Sequence, residues 1–438
     1  MAIELDMRSA DFERRFEALL GAKRESASEV DEAVAAIIDD VRARGDEALA
    51  DYSRRFDRVD IAAKGLRIGA SEIEAATGAC EPKALKALEL AHRRVTDYHQ
   101  RQKPADVRFV DALGVELGWR WRPIEAVGLY VPGGAASYPS SVVMNAAPAK
   151  VAGCARIAMV VPTPDGAVNP LVLAAARIAG VDEIYRVGGA QAIAALAYGT
   201  QSIPRVDKIF GPGNAWVTAA KQLVANDPLG AACDLPAGPS EVLVIADATA
   251  RADFVAADLL AQAEHDPLAQ ALLVTDSREL AVHVAQALNS ALPRLTRRSI
   301  LEQSLAACRC ILVPDLTTAL AVANEYAPEH LLLQVREPRH WLTRVRNAGA
   351  VFLGSWSPEP LGDYCTGANH VLPTGGYARA LSGLSVRDFL KTITVQELSP
   401  AGLSALGPTA VTLALLEGLD AHAQAVTRRL GALAAALS

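Results

Sequence analysis

Residues 241–276 read EVLVIADATARADFVAADLLAQAEHDPLAQALLVTD. The runs 242–246 and 271–274 are apolar without alternation and rich in Val, Ile and Leu. A strand wetted on one face alternates, whereas a strand covered on both faces does not. Residues 251–265 between them have helical length and stop before Pro267. Strand, helix, strand is the crossover that joins parallel neighbours in one sheet.

The same grammar extends both ways. Downstream, CILVPD and AVFLGS continue the series, with helices expected near 278–290 and 316–326. Upstream, AVGLYVP, RIAMVVP, EIYRVGG and VDKIFGP are short apolar runs ending in Pro or Gly, with helices expected over 141–152, 169–179, 190–199 and 214–225. Two such series predict an α/β protein with two parallel sheets flanked by helices. Residues 1–104 read as helical. Ser26 and Glu29 offer a capping box, Val30, Val34, Ile37, Ile38 and Val41 a buried stripe, and Gly45 a stop. Residues 81–102 form a second helix with Pro82 near its start, and 107–122 alternate around DALG as a β-hairpin. A loop-rich stretch follows 354, then a helical tail near 408–436.

Composition excludes several classes. A net charge of −7 with only 5% aromatic residues disfavours nucleic acid and anionic membranes as partners. No run of about 18 apolar residues marks a membrane helix, and the acid-bearing N-terminus does not read as a signal peptide. Six scattered cysteines without a CxxC read as reduced thiols of a cytoplasmic protein. Cys365, two residues from Asp363, could serve as a thiol nucleophile, but no motif sets a base beside it, and the roles of Cys154, Cys233 and Cys365 are left open.

YVPGG, VGGAQA and FGPGN each sit where a strand of the first series gives way to a helix, and glycine there lets backbone approach a phosphate. The Rossmann fingerprint itself is absent, because Trp216 stands where its third small residue belongs. Gln262 and His265, three apart at a helix end, offer an oxygen and a nitrogen donor to a divalent ion such as zinc. Further ligands could come from Glu329–His330, Asp363 and His370, or Glu417 and His422. His92 and His99 fall on an Arg/Gln-rich helix and read as solvated, while His283 and His340 read as structural.

The runs at 234–266 (DLPAGPSEVLVIADATARADFVAADLLAQAEHD), YAPEHL, GDYCTGANHVLPTGGYARALSGLSVRDFLK and EGLDAHA closely resemble the signature of the histidinol dehydrogenase family. The likeness runs from about residue 25 to the C-terminus. Cys233 before Asp234, Cys365–Thr366 and Ala368 depart from the pattern without replacing a functional residue. The resemblance implies two incomplete Rossmann-like domains, a homodimer whose tail crosses to the partner, and zinc- and NAD-dependent oxidation of L-histidinol through L-histidinal to L-histidine. It implies one Zn2+ per subunit on Gln262, His265, Asp363 and His422, and an acid/base pair Glu329 and His330. Ser240, Glu417 and His330 would touch substrate alongside the metal ligands, and Tyr130, Gln191 and Asn214 would touch NAD+. The expected division is 1–122 for N-terminal helices and hairpin, 123–238 for the nucleotide-side domain, 239–375 for the metal and acid/base domain, and 376–438 for the tail.

Three other readings compete. A dehydrogenase of another alcohol would not need Ser240 and Glu417, which suit a cationic amine. A zinc hydrolase using Glu329 would not need the Gly-rich junctions, and a non-catalytic scaffold would need no metal. Mn2+ or Co2+ would also satisfy an N2O2 donor set, and the subunit that donates His422 is left open.

Overall fold

The computed structural model describes residues 3–22, 30–133, 138–236 and 238–437. Ser26 and Glu29 of the expected capping box, and Gly134 of YVPGG, lie outside the described residues. The chain forms two compact units, residues 1–102 with 124–388, and residues 103–123 with 389–438.

The first unit holds two all-parallel sheets. One is ordered Glu183–Tyr185, Arg156–Val160, Ala126–Tyr130, Lys208–Phe210, Ala232–Cys233. Helices Pro139–Ala152, Pro170–Ala179, Gly189–Tyr198 and Ala215–Asn226 alternate with its strands, close to the expected spans. The helix Asp31–Arg44 buries Val34, Ile37, Ile38 and Val41 against Ile193 and Leu196, and ends at Gly45 with φ +59°. The N-terminal segment thereby packs outside the helices Gly189–Tyr198 and Ala215–Asn226 that flank this sheet.

The second sheet is ordered Ile3–Asp6, Arg309–Leu312, Gln270–Thr275, Glu241–Ala246, His330–Gln334, Ala350–Leu353. Every residue of Glu241–Ala246 and Gln270–Thr275 is buried, which is why neither run alternates. Leu5, Phe12 and Phe16 pack on one face with Leu320 and Tyr326, and Val255, Leu259 and Leu260 pack on the other. The edge strand Ile3–Asp6, inside a segment read as helical, belongs to this sheet.

The helix Pro82–Gln100 starts on its proline as expected. His99 on it is buried, not solvated. Its Nδ1 lies 2.7 Å from the Val95 carbonyl and its Nε2 3.3 Å from the Asn369 amide nitrogen, because the loop after 364 packs on this helix. His283 and His340, read as structural, are exposed.

The second unit pairs the hairpin Val107–Val110 and Val115–Pro123 with a third antiparallel strand, Leu390–Leu398. That strand lies in the stretch read as loop. Helices Pro400–Leu416 and Asp420–Leu437 pack on each other, the first beginning earlier than expected with Ser399 as its cap. Much of their apolar surface is exposed, with Leu416 at 79% and Leu413 at 55%.

Candidate active site

The two sheets of the first unit use opposite edges. In the first sheet, the candidate residues follow the carboxyl ends of the strands. Tyr130 ends its strand, buried, and its hydroxyl accepts the Gly189 N–H at 3.2 Å. Gln191 is buried in the first turn of the helix Gly189–Tyr198. Exposed Asn214 caps the helix Ala215–Asn226, its side chain accepting from Val217 N at 3.1 Å. Gly211 takes φ +109°, and a Cβ there would stand 2.1 Å from the Tyr130 carbonyl oxygen. Only glycine allows that approach. Asp234 fixes the same turn, accepting from Gly211 N at 2.7 Å, while buried Lys221 donates to the Gly211 carbonyl and to Asp234.

In the second sheet, the candidates gather at the amino ends of the strands. Ala327, in the left-handed region at φ +52°, ends the helix Leu316–Tyr326, and Pro328 turns the chain so that Glu329 precedes the strand and His330 opens it. Both side chains are buried. Glu329 Oε2 accepts from Glu241 N at 2.8 Å. His330 Nδ1 lies 3.1 Å from both the Glu241 carbonyl and Gln262 Oε1, so Nδ1 carries the hydrogen and Nε2 the lone pair. Nε2 faces Asp363 Oδ1 at 3.7 Å and Glu359 Oε1 at 3.9 Å. Burial lowers the His330 pKa, opposed by Asp363, which keeps the imidazole neutral.

The helix that carries Gln262 ends at Ala263, so His265 sits just beyond it, its N–H bonding the Gln262 carbonyl at 3.2 Å. Gln262 is fully buried, and its amide nitrogen has no partner. Asp363 lies on a short helix, Glu359–Tyr364, one turn after Glu359. The ligating atoms of His265, Glu359 and Asp363 lie within 4.8 Å of one another. Glu359 is fully buried, and burial and Asp363 push its pKa far above the carboxylate range. Two carboxylates so placed must share a proton or a cation. A nitrogen and two carboxylate oxygens suit a divalent ion, so the residues fit a metal. Glu359 was not among the expected ligands; its i, i+4 spacing from Asp363 in SPEPLGDY was the available signal. His370 Nδ1 lies 2.9 Å from the Asp363 carbonyl and holds the loop from behind. Ser240, half-buried, precedes Glu241. Glu417 and His422 lie in the second unit, exposed around the turn between its two helices.

A neutral buried imidazole and a carboxylate poised beside metal-type donors, on a parallel-sheet frame, define an enzyme of the α/β class. The family model of histidinol dehydrogenase matches residues 21–430. The chain is 56% identical to a histidinol dehydrogenase of Bradyrhizobium diazoefficiens, over 98% of this chain and 99% of that one. It is 54% identical to that of Brucella suis, over 98% and 100%. The crystal structure of histidinol dehydrogenase from Elizabethkingia anophelis superposes with a TM-score of 0.94 at 38% identity, over 99% of this chain and 98% of that one. The chain belongs to the histidinol dehydrogenase family and is an oxidoreductase. Among the described residues, no helix is long and apolar enough to cross a membrane.

Proposed function

We propose that this protein oxidises L-histidinol to L-histidine through L-histidinal with two NAD+, with one Zn2+ per subunit, as the last steps of histidine biosynthesis in the cytoplasm. The observation that carries the reading is the approach of His330 Nε2 to Asp363 and Glu359, which gather with His265, while Glu329 lies 3.8 Å from the other ring nitrogen, in a chain of this family.

Gln262, His265 and Asp363 would hold the metal, with Glu359 within reach of the same point and His422 completing the set from a partner subunit. When bound, the ion would supply Lewis acidity and grip the substrate's imidazole and amine. NAD+ would take one hydride in each half-reaction, lying on Tyr130, Gln191 and Asn214. Ser240 and Glu417 would orient the amine of the substrate. His330 is built to accept the hydroxyl proton at Nε2, since its other nitrogen is pinned by the Glu241 carbonyl. Oxidation of the aldehyde requires added water, and Glu329 would take the proton of that water. The homodimer would share each site across its subunits.

Counting NADH formed per L-histidinol tests this reading. Two equivalents are expected. One equivalent with released aldehyde rejects the four-electron course, and none rejects the substrate.

A further inference from the structure

Glu241 is 2% exposed and opens the strand Glu241–Ala246, beside the strand that His330 opens. Its backbone touches both members of the proposed acid/base pair: the N–H donates to Glu329 Oε2 at 2.8 Å, and the carbonyl meets His330 Nδ1 at 3.1 Å. Its side chain binds two backbone N–H groups from distant parts of the chain. Oε1 accepts from Gly375 at 2.8 Å, and Oε2 from Glu329 at 3.4 Å. Glu329 and Glu241 therefore hold each other reciprocally, each carboxylate on the other's amide. Through Oε1, Glu241 also ties in the polar loop that continues from Asp363 and His370.

We propose that Glu241 is a positioning residue that sets the register of Glu329 and His330 against the 363–375 loop. The inference rests on the acid/base reading of Glu329 and His330. Burying a carboxylate is costly, and a plain tether could use a neutral amide. Here both oxygens face N–H donors, so both must be acceptors. A glutamine would set its own NH2 against one of those donors. The carboxylate is thus the group of this size that satisfies both contacts. Its loss would tilt the Glu329 backbone and the adjoining ring, and misplacement by about 1 Å costs catalysis up to roughly 10²-fold.

The test uses the full-length holoenzyme as Glu241→Gln and Glu241→Asp, with Glu329→Gln as control. The readouts are kcat and KM for L-histidinol and L-histidinal separately, the pH profile of kcat, NAD+ affinity, bound zinc and Tm. For Glu241→Gln we expect kcat to fall roughly 10–10²-fold with a displaced pH profile. NAD+ affinity and zinc content stay near wild type. Glu241→Asp, which keeps two acceptor oxygens, recovers part of kcat. If Glu329→Gln loses aldehyde oxidation while Glu241→Gln keeps full kcat and an unmoved pH profile, the positioning role is wrong. Parallel losses of zinc, NAD+ affinity and Tm in both Glu241 variants make the residue merely structural and also overturn it. If Glu329→Gln itself stays fully active, the acid/base reading falls and takes this inference with it.

Discussion

Replacing Lys221 by methionine isolates the buried pair that fixes the FGPGN turn. Lys221 and Asp234 side chains are 7% and 3% exposed, and the lysine donates to Asp234 and, at 3.0 Å, to the Gly211 carbonyl. Methionine fills similar volume and removes the charge, leaving the carboxylate with the Gly211 N–H at 2.7 Å and the weaker influence of Lys208. Breaking one partner of a buried pair costs about 3–5 kcal/mol. The unit containing the pair has roughly 370 residues. At about 2.1 cal/mol/K per residue, its unfolding entropy is near 0.8 kcal/mol/K, so Tm should fall by roughly 4–6 °C. The loss should depend on pH. Burial already raises the Asp234 pKa, and Lys221 is the largest influence opposing it. Without the lysine that pKa rises further. A carboxyl whose folded pKa lies above its unfolded value of about 3.9 destabilises increasingly as pH rises through the folded value. Thermal melts at pH 5 and pH 8 should therefore show the larger deficit at pH 8. Lys221→Met with Asp234→Asn should recover much of it, since no charge is then stranded. NAD+ affinity should fall in the single variant, because the turn loses the contact that holds Gly211. A pH-independent shift, or a double variant no better than the single one, would refute the reasoning.

Further outcomes follow from other contacts. His265→Ala should fold, since His265 is only half-buried, yet retain little zinc by elemental analysis; full occupancy rejects the metal assignment. Glu329→Gln should slow histidinal oxidation more than histidinol oxidation, and His330→Ala should impair the first hydride step, each by roughly 10²–10⁴-fold. Equal, slight effects reject that division of labour. His422→Ala and His265→Ala chains, each inactive, should regain turnover when reassembled as mixed dimers, because one site then receives intact ligands from both chains. A dead mixture with proven heterodimers places His422 in its own subunit's site. Burial lowers the His99 pKa. Folding stability should therefore drop as pH falls below about 6.5, where the unfolded chain protonates first. His99→Gln should flatten that part of a Tm-against-pH curve, and an unchanged curve removes His99 as its cause.

The sequence alone determined what depends on local periodicity. Unbroken Val/Ile/Leu runs such as those in 241–246 specify strands covered on both faces, and the helices between them force parallel crossovers. Gln262 and His265 announce themselves as a donor pair because their spacing is local. The strand Leu390–Leu398 passed for loop because its partner, Val115–Pro123, is remote in the chain, although TITV carried a β signal. Glu359 looked like one more acid. It became a candidate ligand only when its short helix aimed it, with Asp363, at His265 and His330. His99 looked wet on its helix and is dry because a loop some 270 residues later packs over it. Tertiary structure also decided that the first sheet presents its candidates at the carboxyl edge and the second at the amino edge. Periodicity dictates which face of an element is buried. It does not dictate which distant surface buries it, and that choice is made by the packing of whole layers.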